Sequence, residues 1–106
     1  SYVDISADRL TAMLADKDFV LINVHVPYEG ELAQTDAFIP FDRIADVTAA
    51  LPADKTARIV LYCRSGSMSA IAARTLVGLG YTSVYNLDGG LNAWRGRGFE
   101  VLDKGA

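Results

Sequence analysis

Two short apolar runs constrain the fold of this 106-residue chain more than any other feature. They occupy residues 19–24 (Phe-Val-Leu-Ile-Asn-Val) and residues 58–62 (Arg-Ile-Val-Leu-Tyr). Near-continuous apolar runs of this length are typical of strands that are buried on both faces of a parallel sheet. We therefore expect two central strands here, with other elements covering both of their faces.

Weaker strand signals lie on either side of these runs. Residues 2–5 have the length and composition of a short edge strand, and residues 83–87 form a third apolar run. Residues 25–38 contain Pro27, Gly30 and many polar side chains. We expect that segment to be an irregular connection.

Apolar residues at helical spacing predict four helices. Ser6 and Asp42 are candidate N-caps for the first two, and Gly80 stands where a left-handed C-cap belongs after the third. The turn Asp88-Gly89-Gly90 precedes the fourth, which carries Leu91, Ala93 and Trp94. The first three helices are expected at residues 7–15, residues 42–51 (with Ile44, Val47, Ala50 and Leu51 as apolar positions) and residues 69–79.

The alternation of strands and helices predicts βαβ units and a parallel sheet. Right-handed crossovers then place helices on both faces of that sheet. We expect residues 1–106 to form a single α/β domain with a central, mainly parallel sheet of about five strands, flanked by helices on both faces.

Composition excludes several classes of function. A net charge of −3 argues against a nucleic-acid partner, which would need a basic face. The absence of an apolar run of about 18 residues argues against a membrane span. One cysteine and one histidine allow no intramolecular disulfide and no Cys- or His-rich metal site. A lone, unpaired cysteine makes a reducing cytoplasmic setting the default expectation.

The segment from Cys63 to Ser69 carries the strongest chemical signal. Cys63 follows a predicted buried strand, and the next predicted helix begins within a few residues. In open parallel sheets, ligands bind beyond the carboxyl ends of the strands. A loop between a strand end and a helix start points backbone N–H groups inward, and this arrangement stabilises an anion and favours a thiolate.

We therefore expect Cys63 to be a nucleophile at the mouth of an anion-binding loop. Gly66 permits a backbone conformation that bulkier residues resist, and three serines can add hydroxyl donors. The alternative is that Cys63 is a small buried hydrophobe with no chemical role. The candidate binding residues of the loop are Arg64, Ser65, Gly66, Ser67, Met68 and Ser69.

These residues resemble the loop of the rhodanese-like domain family. The matching motifs are Cys63-Arg64-Ser65-Gly66 with Ser69, Ala72-Ala73, Leu79-Gly80-Tyr81, Val84-Tyr85-Asn86-Leu87, Gly89-Gly90 and Trp94. Leu21-Ile22-Asn23-Val24-His25 with Pro27-Tyr28-Glu29 is similar to the family's Leu-Ile-Asp-Val-Arg segment. The resemblance extends over nearly the whole chain.

The resemblance implies sulfur transfer without a metal or an organic cofactor. A small anionic sulfur donor such as thiosulfate would give its sulfane sulfur to Cys63, and the resulting persulfide would pass it to cyanide or a thiol. A protein thiol is a further candidate acceptor. Backbone amides from Arg64 to Ser69 would stabilise the terminal sulfur.

The sequence departs from the family pattern at several positions. Asn23 stands where the family usually has Asp, and His25 stands where Arg is common. Residues 35–40 replace the family's Gly-His-Ile-Pro-Gly-Ala segment, and Met68 replaces a frequent Arg or Lys. Arg64 is then the only charged side chain in the loop. We expect this to weaken turnover with a doubly charged donor such as thiosulfate more than it weakens persulfide formation.

The sequence is also compatible with two rival functions. A phosphatase or arsenate reductase of the same fold needs an arginine six residues after the cysteine, where this chain has Ser69. A non-enzymatic binding module or a sulfur-relay module would use the same fold to present a surface to a partner.

The remaining candidates have structural interpretations. His25 could act as a general base, but a hydrogen-bonded structural role is the commoner one. Tyr85 and Trp94 are expected in the core, and Gly89-Gly90 in a turn where helix and strand approach closely. Charged side chains expected to serve helix ends or solvent are Glu29, Glu31, Arg95 and Arg97.

Overall fold

A computed structural model of the chain describes residues 1–104. Its sheet contains five strands in the order β1-β5-β4-β2-β3, and every pair of neighbours is parallel. The expected mainly parallel sheet is confirmed, with the predicted edge strand at one edge and the two apolar runs at its centre. The strands are β1 (Val3–Ile5), β2 (Val20–Asn23), β3 (Ala37–Phe38), β4 (Ile59–Tyr62) and β5 (Val84–Leu87).

Residues 1–104 contain three α-helices: α1 (Ala7–Leu14) between β1 and β2, α2 (Ser67–Gly78) between β4 and β5, and α3 (Gly90–Gly96) after β5. Ser6 caps α1 as predicted, because its Oγ accepts a hydrogen bond from the Arg9 backbone N–H at 3.0 Å. Gly80 follows α2 with a φ of +100°, as its position predicted. In the part of the chain described, no helix is long and apolar enough to cross a bilayer.

The sheet is covered on both faces because its side chains alternate between two apolar clusters. One cluster contains Ile22, Leu61 and Cys63 together with Ala72, Ala73 and Leu76 of α2. The other contains Leu21, Val60 and Tyr62 together with Leu10 of α1 and Leu91 and Trp94 of α3. Cys63 therefore lies on the same face as α2, and α1 and α3 cover the opposite face.

Two of the predicted elements are wrong. The helix predicted over residues 42–51 is instead a pair of 3₁₀ turns, Ile44–Asp46 and Thr48–Ala50. Val47 interrupts them with a φ of −127° and a ψ of 39°. β-Branched Val47 and Thr48 are weak helix formers, so packing of Ile44 and Leu51 into the core decides the local conformation.

The second error concerns residues 25–38, because β3 lies inside the segment predicted to be irregular. This short edge strand pairs with β2, placing Ala37 opposite Ile22 and Phe38 opposite Asn23. Its two residues are too few to produce a recognisable sequence pattern.

Tyr62 fixes the path of the chain between β2 and β3. Its ring is fully buried, and its hydroxyl oxygen accepts a hydrogen bond from the Leu32 backbone N–H at 3.0 Å. The same hydroxyl is hydrogen-bonded to Thr35 Oγ1 at 2.8 Å. The segment that precedes β3 is thereby anchored to the last residue of the central strand, immediately before Cys63.

Candidate functional site

Cys63 lies directly after β4, at the carboxyl end of the central strand of the sheet. The residue is 1% exposed, and its Sγ accepts a hydrogen bond from the Gly66 backbone N–H at 3.0 Å. Ser69 Oγ lies 3.4 Å from the same sulfur. The thiol therefore sits in the turn that leads into α2, close to the positive end of that helix.

Gly66 gives the loop its shape. It is the N-cap of α2 and has a φ of +100°, a conformation that L side chains rarely adopt. A Cβ at this position would also lie 3.2 Å from the Gly89 backbone nitrogen. The left-handed backbone brings the Gly66 N–H back toward Sγ, in agreement with the conformational role expected of this glycine.

The start of α3 holds the other side of the loop. The Leu91 and Asn92 backbone N–H groups donate to the carbonyl oxygens of Cys63 and Arg64, each at 2.9 Å. A Cβ on Gly90 would overlap the Cys63 carbonyl oxygen and approach the Arg64 carbonyl carbon to 2.7 Å. The close approach expected at Gly89-Gly90 is thus between α3 and the loop, with these two carbonyl groups turned toward α3.

The environment of Cys63 favours its thiolate. Burial is the largest single influence and raises the pKa of the thiol. The hydrogen bonds to the sulfur lower the pKa, and together they outweigh burial, so that the pKa of Cys63 lies below its ordinary value. These bonds come from the Ser69 hydroxyl and from the backbone N–H groups of Ser69, Gly66 and Ser65.

The charged side chain of the loop, Arg64, forms an ion pair with Glu29. Arg64 Nη1 donates to Glu29 Oε1 at 3.2 Å, and His25 Nε2 donates to Glu29 Oε2 at 3.1 Å. The pKa of Glu29 is lowered by these hydrogen bonds, that from His25 first and that from Arg64 second. Glu29 was expected to be solvated, but its carboxylate is half-buried and pairs with the cation that was expected to serve an anionic substrate.

Several hydrogen bonds hold Glu29 in position. Glu31 and Leu102 exchange two backbone hydrogen bonds of 2.7 Å, which join this segment to the end of the described chain. Asn23 Nδ2 donates to the Gly30 carbonyl oxygen at 3.1 Å, and Asn23 Oδ1 accepts from the His25 backbone N–H at 3.0 Å. An aspartate at position 23 could not make the first of these bonds, so Asn23 suits this particular connection.

A chain of three hydrogen-bonded side chains leads from the edge of the sheet to Cys63. Ser69 Oγ donates to Asn86 Oδ1, and Asn86 Nδ2 donates to Asp4 Oδ1 at 3.0 Å. Asn86 and Asp4 are directly opposite each other in the pairing of β1 with β5. Ser69 is completely buried and Asn86 is 3% exposed. Sequence reasoning missed this connection because it depends on strand register.

The remaining loop residues lie around the thiol with different exposures. Ser65 and Ser67 are exposed, and their hydroxyl groups are 3.2 Å apart. Met68 is partly buried against the core on the α2 face. Cys63, Gly66 and Ser69 are therefore brought together, whereas the side chains of Arg64, Ser65 and Ser67 face outward.

Most of the residues that were expected to have structural roles make structural contacts. Trp94 is buried, and its Nε1 donates to the Glu100 carbonyl oxygen at 2.9 Å. Tyr85 is only partly buried. Arg97 Nε donates to Asp8 Oδ1 at 2.8 Å, and Arg95 Nη2 reaches the Glu29 carbonyl oxygen at 3.4 Å. His25 is buried, and its Nδ1 has no hydrogen-bond partner among the described residues.

The chain is similar to known proteins along most of its length. A family profile described as "Rhodanese-like domain" matches residues 6–97. The chain is 35% identical over 104 residues to a sulfurtransferase from Allochromatium vinosum, covering 93% of this chain and 94% of that protein. It is 34% identical over 84 residues to a thiosulfate sulfurtransferase from Pseudomonas syringae, covering 77% of each protein.

A solved structure supports the same relationship. A rhodanese-like domain protein from Staphylococcus aureus superposes with a TM-score of 0.81 at 26% identity, over 98% of this chain and 99% of that one. The similarity therefore includes the sheet, the flanking helices and the Cys63 loop.

Proposed function

The chain belongs to the rhodanese-like domain family, and from that premise we propose that it is a sulfurtransferase in which Cys63 carries sulfane sulfur as a persulfide. The observation that carries this proposal is the surroundings of Cys63 Sγ. A backbone N–H donates to the sulfur at 3.0 Å, and a buried hydroxyl lies 3.4 Å away. Such donors stabilise a sulfur anion as an oxyanion hole stabilises an oxygen anion.

In the first half-reaction, the Cys63 thiolate attacks the outer sulfur of a donor such as thiosulfate. A bond forms between Sγ and that sulfur, the S–S bond of thiosulfate breaks, and sulfite leaves with the bonding electron pair. Charge balances, since thiolate and thiosulfate carry three negative charges and the ionised persulfide and sulfite carry three. The lowered pKa of Cys63 supports this step because the thiolate is the attacking species.

In the second half-reaction, a nucleophilic acceptor takes the sulfur. Cyanide or a thiolate attacks the outer sulfur of the Cys63 persulfide, and the Cys63 thiolate leaves with the bonding electrons. The products are thiocyanate with cyanide, and a new persulfide with a thiol acceptor. A sulfur-relay module differs from a free-standing enzyme only in that its acceptor is a thiol of a partner protein. A thiol that must be regenerated in each cycle suits the reducing cytoplasm.

The residue at position 69 does not favour the phosphatase alternative. Phosphoryl transfer requires an arginine there to bind phosphoryl oxygens bidentately. Ser69 is instead completely buried and is hydrogen-bonded within the protein. We expect no useful hydrolysis of p-nitrophenyl phosphate, and a kcat above roughly 1 s⁻¹ would contradict the assignment.

Sulfur loading tests the proposal directly. The protein is incubated with thiosulfate and its intact mass is measured, and the loaded protein is then treated with cyanide. We expect a gain of one sulfur atom on Cys63, its loss with cyanide, and release of thiocyanate. Cys63→Ser, which removes the single thiol of the chain, should neither gain sulfur nor release thiocyanate. A Cys63→Ser protein that retained more than a small fraction of the activity would exclude covalent transfer at this residue.

A further inference from the structure

The hydroxyl group of Ser69 has more acceptors within reach than it has hydrogens to donate. It carries one hydrogen. Asn86 Oδ1, the Gly66 carbonyl oxygen at 3.2 Å and Cys63 Sγ at 3.4 Å all lie within hydrogen-bonding distance of Ser69 Oγ. Only one of them can be the principal acceptor at a time, so Asn86 and the Cys63 thiolate compete for the same hydrogen.

Asp4 decides which end of the Asn86 amide faces Ser69. A carboxylate accepts hydrogen bonds and cannot donate them, so the Asn86 group facing Asp4 Oδ1 at 3.0 Å must be the NH₂ group. The amide oxygen is then left pointing toward Ser69. This orientation follows from parallel pairing of β1 with β5, which sets Asp4 opposite Asn86.

These contacts are mutually consistent when Cys63 is not charged. A thiol hydrogen can be donated to Ser69 Oγ while the Ser69 hydroxyl is donated to Asn86. When Cys63 is a thiolate, the hydroxyl must leave Asn86 in order to stabilise the sulfur, and a buried amide oxygen then lacks its partner. When sulfur is loaded, the negative charge moves from Sγ to the outer sulfur, and the hydroxyl can return to Asn86.

We propose that Asn86, oriented by Asp4, is a positioning residue that holds the Ser69 hydroxyl away from Cys63 Sγ except while the thiolate is present. The role rests on the proposed sulfur transfer, in which Sγ gains and loses negative charge in each cycle. Asn86 limits how strongly the thiolate is stabilised. This favours attack, because a thiolate that is stabilised more strongly is a weaker nucleophile.

The proposal predicts the sign of a change in reactivity. Asn86→Leu removes this acceptor at similar volume and leaves the Gly66 carbonyl oxygen as the remaining competitor, so the Ser69 hydroxyl donates more readily to the thiolate. We expect the pH midpoint of Cys63 alkylation by iodoacetamide to move to lower pH. The rate on the high-pH plateau should fall, by roughly threefold for each tenfold gain in thiolate stability.

A double-variant cycle tests whether the effect passes through Ser69. Ser69→Ala removes the hydroxyl and should move the midpoint to higher pH. Adding Asn86→Leu to Ser69→Ala should then change neither the midpoint nor the plateau. An Asn86→Leu midpoint that is unchanged or higher in the folded protein, or an equal shift in both backgrounds, would overturn the proposal.

Asp4→Asn provides a second route at an exposed position, should Asn86→Leu fail to fold. It lets the Asn86 amide turn over, so it should also lower the midpoint when Ser69 is present. Loss of the negative charge of Asp4 would by itself also lower the midpoint. Asp88→Asn, which removes a charge at an exposed position directly after β5, is therefore the matched control. With Ser69 present, the midpoint should move further for Asp4→Asn than for Asp88→Asn. In the Ser69→Ala background, the two shifts should be equal. Any other pattern contradicts the role of Asn86.

The other charged or titratable groups of the elements around the loop are unchanged in these variants. Arg64 lies in the loop, His25 and Glu29 lie in the segment that is hydrogen-bonded to Arg64, and Arg74 and Arg95 lie on α2 and α3. Alkylation does not require sulfur transfer. Failure of the protein to load sulfur would therefore refute the proposed function without affecting the alkylation measurement, and an unchanged midpoint in a protein that loads sulfur would refute only the role of Asn86.

Discussion

At the scale of single residues, the charge offered to a substrate is set by one ion pair. Arg64 is the only charged side chain from Cys63 to Ser69, and its guanidinium is hydrogen-bonded to the Glu29 carboxylate at 3.2 Å. The charges of the pair cancel, so a dianionic sulfur donor meets backbone amides and hydroxyl groups rather than a free cation. Affinity for thiosulfate should therefore depend on Glu29 as much as on Arg64.

Replacement of Glu29 should strengthen thiosulfate binding. Glu29→Gln frees the charge of Arg64, and a cation in a partly exposed site contributes about 1 kcal/mol, so the KM for thiosulfate should fall about fivefold. Met68→Arg should lower the KM similarly, and Arg64→Ala should raise it. The measurement is the steady-state rate of thiocyanate formation at varied thiosulfate concentration.

Glu31→Gln is the matched control for this prediction. It makes the same charge change two residues away, but the Glu31 carboxylate accepts a hydrogen bond from the Tyr28 hydroxyl and none from Arg64. We expect it to leave the KM for thiosulfate almost unchanged. Equal effects of the two glutamine variants would mean that overall charge, and not the pairing with Arg64, governs binding.

At the scale of elements, the loop is held between α2 and α3. The first residues of α3 donate to the Cys63 and Arg64 carbonyl oxygens, and α2 begins at the glycine whose N–H contacts Sγ. The shape of the loop therefore depends on how closely α3 approaches it. Gly90, which has no Cβ, is the residue that permits this approach.

Gly90→Ala should disrupt the Cys63 loop more than the same replacement at Gly98, a glycine outside the loop. Gly90 has a φ of +53°, and its added Cβ would overlap the Cys63 carbonyl oxygen, so strand end and helix must separate. We expect loss of more than about 3 kcal/mol of unfolding free energy, from overpacking and backbone strain together. Sulfur loading should slow at least tenfold. Urea denaturation and the loading rate measure the two effects.

Gly98→Ala separates the two causes. Gly98 also has a positive φ, +80°, but nothing lies within 4 Å of its added Cβ. The variant should lose only about 1 kcal/mol of unfolding free energy, because of backbone strain. It should load sulfur at the normal rate. Similar loading defects in both variants would refute the importance of the approach of α3 to the loop.

Local sequence patterns predicted the elements that depend on local chemistry. The central strands, the Ser6 cap and the Gly80 helix end follow from apolar runs and capping residues. The 3₁₀ turns around Val47 do not, because their conformation is decided by packing of side chains far apart in the chain. The same reason hides the link between Asp4 and Asn86, which are 82 residues apart and meet only through strand register. The pairing of Glu29 with Arg64 is likewise a tertiary contact.

At the scale of the whole molecule, stability should decrease from the centre of the sheet to its edges. All four residues of β4 are buried, whereas Phe38 in β3 and Val3 in β1 are exposed. Backbone amides of β4 should therefore exchange with solvent only when the molecule unfolds globally. Those of β1 and β3 should exchange faster by local opening.

Native-state hydrogen exchange in low urea concentrations checks this expectation. The free energy of exchange should depend strongly on urea for amides between Ile59 and Tyr62, and only weakly for Phe38. Equal urea dependence across the sheet would show that the edges open only together with the centre. With either result, the backbone at Cys63, which directly follows β4, should be exposed only when the whole molecule unfolds.

The pairing of β1 with β5 also bears on how the protein is made. The strand that contains Asn86, the partner of Asp4, is synthesised 82 residues after Asp4 itself. Such a long-range pairing adds to the contact order and cannot form until β5 has been synthesised. The hydrogen-bonded chain that ends at Cys63 is therefore completed only after β5 has emerged. A nascent chain arrested before β5 would display the thiol without the amide acceptor that restrains Ser69.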